Sequence, residues 1–192
     1  MAWIARPPNA SDRKERMNVR PAVLADVNAC LALDHTYVTD HVWQMRVHEG
    51  DANISVALQT VRLPRLMRAE YPRALEQVVD DWQQGEGFFV AEVDGQVRGY
   101  LDGRIQPWQD LLWVTNLAVD KEFRRRGIGS ALMRHGREWA KEQGLQAILV
   151  EAATKNYPAL HFYEKLGFRF CGFNDHYYVN QDIAVFFVQA LR

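Results

Sequence analysis

Leu117-Ala118-Val119-Asp120-Lys121-Glu122-Phe123-Arg124-Arg125-Arg126-Gly127-Ile128-Gly129-Ser130-Ala131-Leu132 joins an apolar run to an amphipathic one through three arginines and two glycines. Its first residues close an apolar run, Leu111 to Val119, that reads as a strand. Its last residues open a helix from about 127 to 143. Ile128, Ala131, Leu132, His135 and Trp139 share one face of that helix, Lys141 lies in its last turn, and Gly144 stands just beyond. Arg124 to Ser130 therefore sits between a strand and a helix start. Unpaired backbone N–H groups and the positive end of the helix dipole point outward together there, which makes an anion site and suits a phosphate. Gly127 and Gly129 let the backbone approach a pyrophosphate closely, and the arginines supply charge. No lysine follows Gly129, so the Walker pattern is absent; a third glycine is missing, so the dinucleotide-binding fingerprint fails as well. Alone, these letters read equally as a glycine turn with a solvated arginine face.

On the N-terminal side of this stretch, Phe88 to Val93, the Asp94-Gly95 turn and Gln96 to Ile105 form a hairpin, since Asp-Gly favours the turn that matches strand twist. With 111–119 this gives three successive strands. Downstream, Ala147 to Val150 is a buried strand, with Glu151 at its end. Asn156 to Leu166 is a second amphipathic helix with Pro158 in its first turn and Gly167 at its close. Phe168 to Phe173 and Ile183 to Val188 are the last strands. Upstream, Asn18 to Arg20 reads as a short strand and Ala22 to Leu33 as a helix. Ile54, Val56, Leu58, Val61 and Leu63 alternate as a strand over 53–63, interrupted by Pro64. Pro72, Leu75, Val78, Val79 and Trp82, followed by Gly85 and Gly87, read as a helix with a glycine stop. Residues 1–16 mix Pro, Asn, Ser and charges and are expected to be a flexible extension, leaving 17–192 as a single domain.

Composition limits what these motifs can mean. The chain has 192 residues, 48% of them hydrophobic, enough for one good core. Charged residues are 24% with a net charge of −1, which argues against both a disordered chain and a nucleic-acid binder. Cys30 and Cys171 form no CxxC spacing, so reduced thiols and a cytoplasmic protein are expected. The apolar runs are too short to span a membrane, and the six histidines are scattered, so neither a membrane partner nor a metal site is expected.

Two blocks together carry a resemblance. Leu117-Ala118-Val119 followed by 124–132, and Asn156 followed by Ala159 and Phe162-Tyr163-Glu164-Lys165-Leu166-Gly167-Phe168, resemble the GCN5-related N-acetyltransferase (GNAT) family in letters, order and separation. The stretch from Cys171 to Tyr178 also resembles the streptothricin acetyltransferase type. The resemblance implies an α/β fold with a mixed, mainly antiparallel sheet of six to seven strands flanked by helices, splayed between strands 111–119 and 147–151. It implies acetyl-CoA as acetyl donor. The pantetheine arm would lie along Leu117, Ala118 and Val119 like an added strand and bond Asn156 from the other side. Arg124, Arg125, Arg126, Gly127, Ile128, Gly129 and Ser130 would hold the pyrophosphate. Tyr163 would protonate the leaving thiolate. It also makes a homodimer the expected assembly.

Transfer to an amine needs an oxyanion donor and a route for the amine proton. The N–H of Leu117 is the expected oxyanion donor. Many family members carry a glutamate on the strand before the pyrophosphate loop; here 111–119 holds no carboxylate and offers Asn116. Glu151, Asp102 and Asp110 are the candidate bases, with Glu151 ranked first. Trp43, Trp82, Trp108, Trp113, Tyr177 and Tyr178 are candidate linings of an acceptor pocket, with Trp43, Trp108 and Tyr178 foremost, and equally candidate packing residues. The acceptor expected is an amine, with a small cationic amine or antibiotic ahead of a peptide or protein amine. A non-catalytic acyl-CoA-binding sensor or interaction module is the reading from another class, suggested by the missing strand carboxylate.

Overall fold

The computed structural model describes residues 16–72, 77–84 and 86–191. The elements run β1 (Met17–Pro21), α1 (Leu24–Leu31), β2 (Tyr37–Glu49), β3 (Ile54–Ala69), α2 (Gln77–Gln83), β4 (Gly87–Val93), β5 (Gln96–Gln106), β6 (Leu111–Val119), α3 (Ile128–Glu142), β7 (Ala147–Ala153), α4 (Tyr157–Lys165), β8 (Arg169–Asn174) and β9 (Ala184–Ala190). A seven-stranded sheet has the order β1-β4-β5-β6-β7-β9-β8, and β2 and β3 form a separate two-stranded ribbon. Every neighbouring pair in the sheet is antiparallel except β6 with β7.

Strand alternation sends side chains to two faces, and each face is covered by helices. One face buries Leu101, Leu112, Val114, Ile148, Val150 and Phe187 against Ile128 and Leu132 of α3 and Leu160 of α4. The other buries Phe88, Val90, Tyr100 and Ala118 with Cys30 of α1 and Val78 of α2.

Two irregularities in β6 shape the site. The register with β5 jumps from Asp102↔Asn116 to Gly103↔Val114, leaving Thr115 as an unopposed bulge residue. The bulge reverses side-chain parity. Leu112 and Val114 face the α3–α4 core before it, and Leu117 and Val119 pack on that core after it. Trp113 and Asn116, three residues apart, consequently both project to the α1–α2 face. The second irregularity is the ladder to β7, which runs from Leu111↔Ala147 to Val114↔Val150 and stops, although β6 continues to Val119 and β7 to Ala153. The two parallel strands part at that point, as the resemblance implied.

Several boundaries move. The strand after α3 extends to Ala153, so Glu151 lies inside it and pairs with Phe186 rather than ending it. The 53–63 strand reaches Ala69 and belongs to the ribbon, with β2, which the sequence reading left unassigned, as its partner. Pro64 does not stop it. The register passes from His41↔Arg62 to Thr39↔Met67, so Pro64 falls in the unpaired stretch and its missing N–H removes no ladder bond. The helix expected over 72–82 is observed as α2; its residues 73–76 lie outside the described residues, as do residues 1–15 of the expected extension. The helix expected over 22–33 is the shorter α1. Among the described residues, no helix is long and apolar enough to cross a membrane.

Candidate active site

The donor side is built by the turn between β6 and α3. Arg125 has φ 66° and Gly127 φ 86°, a left-handed pair that turns the chain sharply into the helix. Gly127 is the α3 N-cap and offers no side-chain cap, so the N–H groups of Ile128, Gly129 and Ser130 open the helix outward. Gly129 packs closely on α4, where a Cβ would meet the Phe162 ring at 3.3 Å. Arg125 and Arg126 are exposed, and the Arg126 guanidinium lies 4.8 Å from the Phe123 ring centroid. Arg124 turns inward. Its guanidinium donates to the carbonyls of Val119 at 2.9 Å, Thr36 at 2.8 Å and Asp34 at 2.6 Å.

Main-chain direction on β6 follows from one bond. The Asp120 N–H donates to the Arg98 carbonyl at 2.8 Å, so Ala118, two residues earlier, also faces β5. Leu117 and Val119 then point their N–H and C=O groups toward the gap where β7 has departed. Across the gap, Asn156 caps α4, its Oδ1 accepting from the Ala159 N–H at 3.2 Å. The cap engages the oxygen of that amide.

Tyr163 projects from α4 into the aromatic packing of Phe162, Phe168 and Phe187, with ring centroids 5.5, 5.9 and 6.3 Å away. It is buried, and burial together with the nearby Glu151 charge pushes its phenol well above the ordinary tyrosine range. It is a protonated hydroxyl at neutral pH.

Glu151 is a buried carboxylate, 8% exposed. The Trp113 indole N–H donates to its Oε2, and the Tyr177 hydroxyl donates to its Oε1 at 3.3 Å. Trp113 and Tyr177 also line an open cleft of about 360 Å³ with Asp80 and Asp81 of α2, Arg104 of β5 and Thr115. Asp81 is ion-paired with Arg104. Deeper in the wall, the buried Asp102 carboxylate accepts from Thr115 Oγ1 at 2.9 Å and Asn116 Nδ2 at 2.8 Å, and the Tyr71 hydroxyl donates to Asn116 Oδ1. Asp110 lies exposed in the β5–β6 turn at the opposite end of β6 and is not brought to this site.

Of the aromatics expected foremost at a pocket, Trp108 is 81% exposed on the β5–β6 turn, Tyr178 is buried with Ala153 and Ala184, and Trp43 packs on Phe187 at 5.7 Å and lines a second cleft with Val56, Leu58 and Phe170. Trp113 and Tyr177 take the wall positions instead. Tyr71, Asp81 and Arg104 were not singled out in the sequence. Asp81 and Arg104 are brought together only by the packing of α2 on β5, which no local pattern announces.

Residues 57–168, more than half of the chain, match the model of the acetyltransferase (GNAT) family. The chain belongs to that family. GNAT acetyltransferases use acetyl-CoA, and the fold and the resemblance read from the sequence agree with membership. Among relatives, a streptothricin acetyltransferase of Streptomyces lavendulae is 29% identical over 83% of this chain and 85% of its own length. An N-alpha-acetyltransferase of Sulfurisphaera tokodaii is 36% identical over 50% of this chain and 65% of its own. Among solved structures, a nourseothricin acetyltransferase superposes with TM-score 0.77 at 26% identity, covering 92% of this chain and 99% of the other. A Bacillus anthracis protein whose structure contains acetyl coenzyme A superposes at 0.71 with 19% identity, covering 91% and 99%, a likeness of GNAT fold. Membership makes the chain an acetyltransferase and sets aside the sensor reading.

Proposed function

We propose that this GNAT enzyme acetylates a primary amine of a small cationic acceptor by direct attack in a ternary complex. The observation that carries the reading is the placement of Glu151: a buried carboxylate held by Trp113 and Tyr177, whose rings line a cleft that Asp80 also borders. Asp81 is paired with Arg104, and Asp80 adds a negative charge at the rim that favours a positively charged ligand. The likeness to a streptothricin acetyltransferase over most of both chains points the same way.

In this reading the N–H groups of Arg125 to Ser130 and the exposed arginines hold the pyrophosphate, and Leu117, Val119 and Asn156 hold the pantetheine arm in the gap. Glu151 takes a proton from the acceptor ammonium, directly or through one water, leaving a lone pair on nitrogen. As nitrogen attacks the thioester carbonyl, the Leu117 N–H donates to the oxygen that gains charge. Tyr163 gives its proton to sulfur as the carbon–sulfur bond breaks, and the amide product sheds its extra proton to solvent. We also propose a homodimer, since among the described residues β8 pairs with β9 on one side alone and exposes Phe170 and Phe173, and a cytoplasmic location, given two unpaired cysteines.

The test is calorimetric titration with acetyl-CoA, followed by acetylation of streptothricin and of a peptide α-amine. Saturable donor binding that Gly127→Glu abolishes, with preference for streptothricin, supports the whole reading. Turnover of the peptide alone would replace the acceptor with a protein amine, as the likeness to an N-alpha-acetyltransferase suggests; no donor binding would overturn the site.

A further inference from the structure

The segment between α1 and β2 has no ladder or helix to satisfy its carbonyls, yet the Asp34 and Thr36 carbonyls each receive a charged donor from Arg124, nearly ninety positions further along the chain. The same guanidinium also bonds the Val119 carbonyl, where β6 ends. One planar fork therefore spans the end of β6, the donor turn and the α1–β2 connection.

That connection continues into the acceptor wall. His35, between the two clamped carbonyls, keeps its Nδ1 at 2.7 Å from the Leu33 carbonyl and its Nε2 at 2.9 Å from the Tyr100 hydroxyl. The lowered pKa that its burial brings keeps the ring neutral, so Nδ1–H donates and Nε2 accepts from Tyr100. The ring also lies 5.3 Å from that of Tyr71, whose hydroxyl donates to Asn116 beside Leu117. A chain of direct contacts thus leads from Arg124 to the β6 residue next to the expected oxyanion donor.

We propose that Arg124 is a positioning residue that ties the acceptor wall to the donor turn, and that its guanidinium does not bind phosphate. This rests on reading 124–130 as the acetyl-CoA site. Filling the turn with pyrophosphate fixes the Arg124 backbone, the fork fixes residues 34–36, and His35 and Tyr71 pass the restraint to Asn116. Donor binding then orders the acceptor wall at a distance.

Lysine at 124 separates the two roles. It keeps a point charge able to bind phosphate, but it cannot reach three carbonyls in the planes a guanidinium fits. Acetyl-CoA affinity is measured by calorimetry at two salt concentrations for the unaltered protein, Arg124→Lys and Arg125→Gln, and amide exchange over residues 33–42 is followed with and without acetyl-CoA. In the unaltered protein, acetyl-CoA is expected to slow exchange over 33–42 about tenfold. Arg124→Lys is expected to bind acetyl-CoA within about threefold of the unaltered protein and to lose that slowing, with the KM for streptothricin raised about tenfold and kcat retained. Arg125→Gln is expected to show the reverse, weaker and less salt-sensitive donor binding with the slowing intact at saturation. The proposal falls if acetyl-CoA binds the unaltered protein without slowing 33–42, whatever the variants do. It also falls if Arg124→Lys keeps the slowing, or if Arg124→Lys, still folded by its melting curve, weakens acetyl-CoA as much as Arg125→Gln does. Failure of the unaltered protein to bind acetyl-CoA would instead strike the donor-site reading itself.

Discussion

At the scale of single residues, the site divides its labour by environment. Tyr163 and Glu151 are both buried, but Tyr163 lies among Phe162, Phe168 and Phe187, whereas Glu151 has an indole N–H and a phenol donating to it. Burial holds a proton on the first, and the second serves as the acceptor of both donated hydrogen bonds. Tyr163→Phe should lower kcat roughly 10- to 100-fold while the acetyl-CoA dissociation constant changes by less than about twofold, as steady-state kinetics beside calorimetry would show. Trp113→Phe keeps the ring but removes the indole donor. The expected result is a kcat reduced about tenfold with unchanged donor affinity. Equal losses in donor binding for either variant would mean damage to packing rather than to chemistry.

Among the elements, helix ends show what the sequence makes legible and what it hides. Gly127 before Ile128 and Gly144 beyond Glu142 mark α3 within one residue, because left-handed backbone at both glycines is a local demand that local letters satisfy. The opposite case is α1. Its start is fixed by Asp26, which accepts the Val23 N–H at 2.8 Å and holds Arg20 of β1 in two bonds of 2.7 and 2.9 Å. Nothing in the apolar spacing of 22–33 announces that pairing. The same holds at the ribbon, where Pro64 reads as a stop until the register of β2 shows that its N–H had no ladder bond to make. Likewise Glu151 reads as a strand end until β9 is seen to pair past it. These local demands are readable in the letters; the distant partners that decide Asp26, Pro64 and Glu151 are not. Asp26→Asn should lower stability by about 1–3 kcal/mol at neutral pH, measured by urea unfolding. The folded pKa of Asp26 is lowered, chiefly by Arg20, so its contribution is complete above the ordinary aspartate value of about 3.9 and disappears as pH falls through the folded value. The variant should converge with the unaltered protein under acid conditions, and a constant gap at all pH values would contradict the pairing. Gly127→Ala, where an added Cβ meets nothing within 4 Å, should cost about 1–2 kcal/mol through its φ of 86° alone.

For the whole molecule, the larger core lies on the α3–α4 face of the sheet and includes Tyr163. The core between the sheet and α3 and α4 contains Leu101, Leu132, Ile148 and Leu160, all with 0% exposure. Leu101→Ala should destabilise by about 2–5 kcal/mol in urea unfolding. The ribbon, by contrast, exposes Val47, Ile54 and Val56 near its tip.

A sheet whose ladder ends at Val114 and Val150 while both strands run on is an unfinished sheet. On the proposed placement, the strand that completes it arrives from solution as the donor itself. Folding and cosubstrate supply are then one linked equilibrium: at a donor concentration a hundred times its dissociation constant, the native state gains about 2.7 kcal/mol. The melting temperature should climb with acetyl-CoA, and a cell short of acetyl-CoA would hold not only a slower enzyme but a more perishable one.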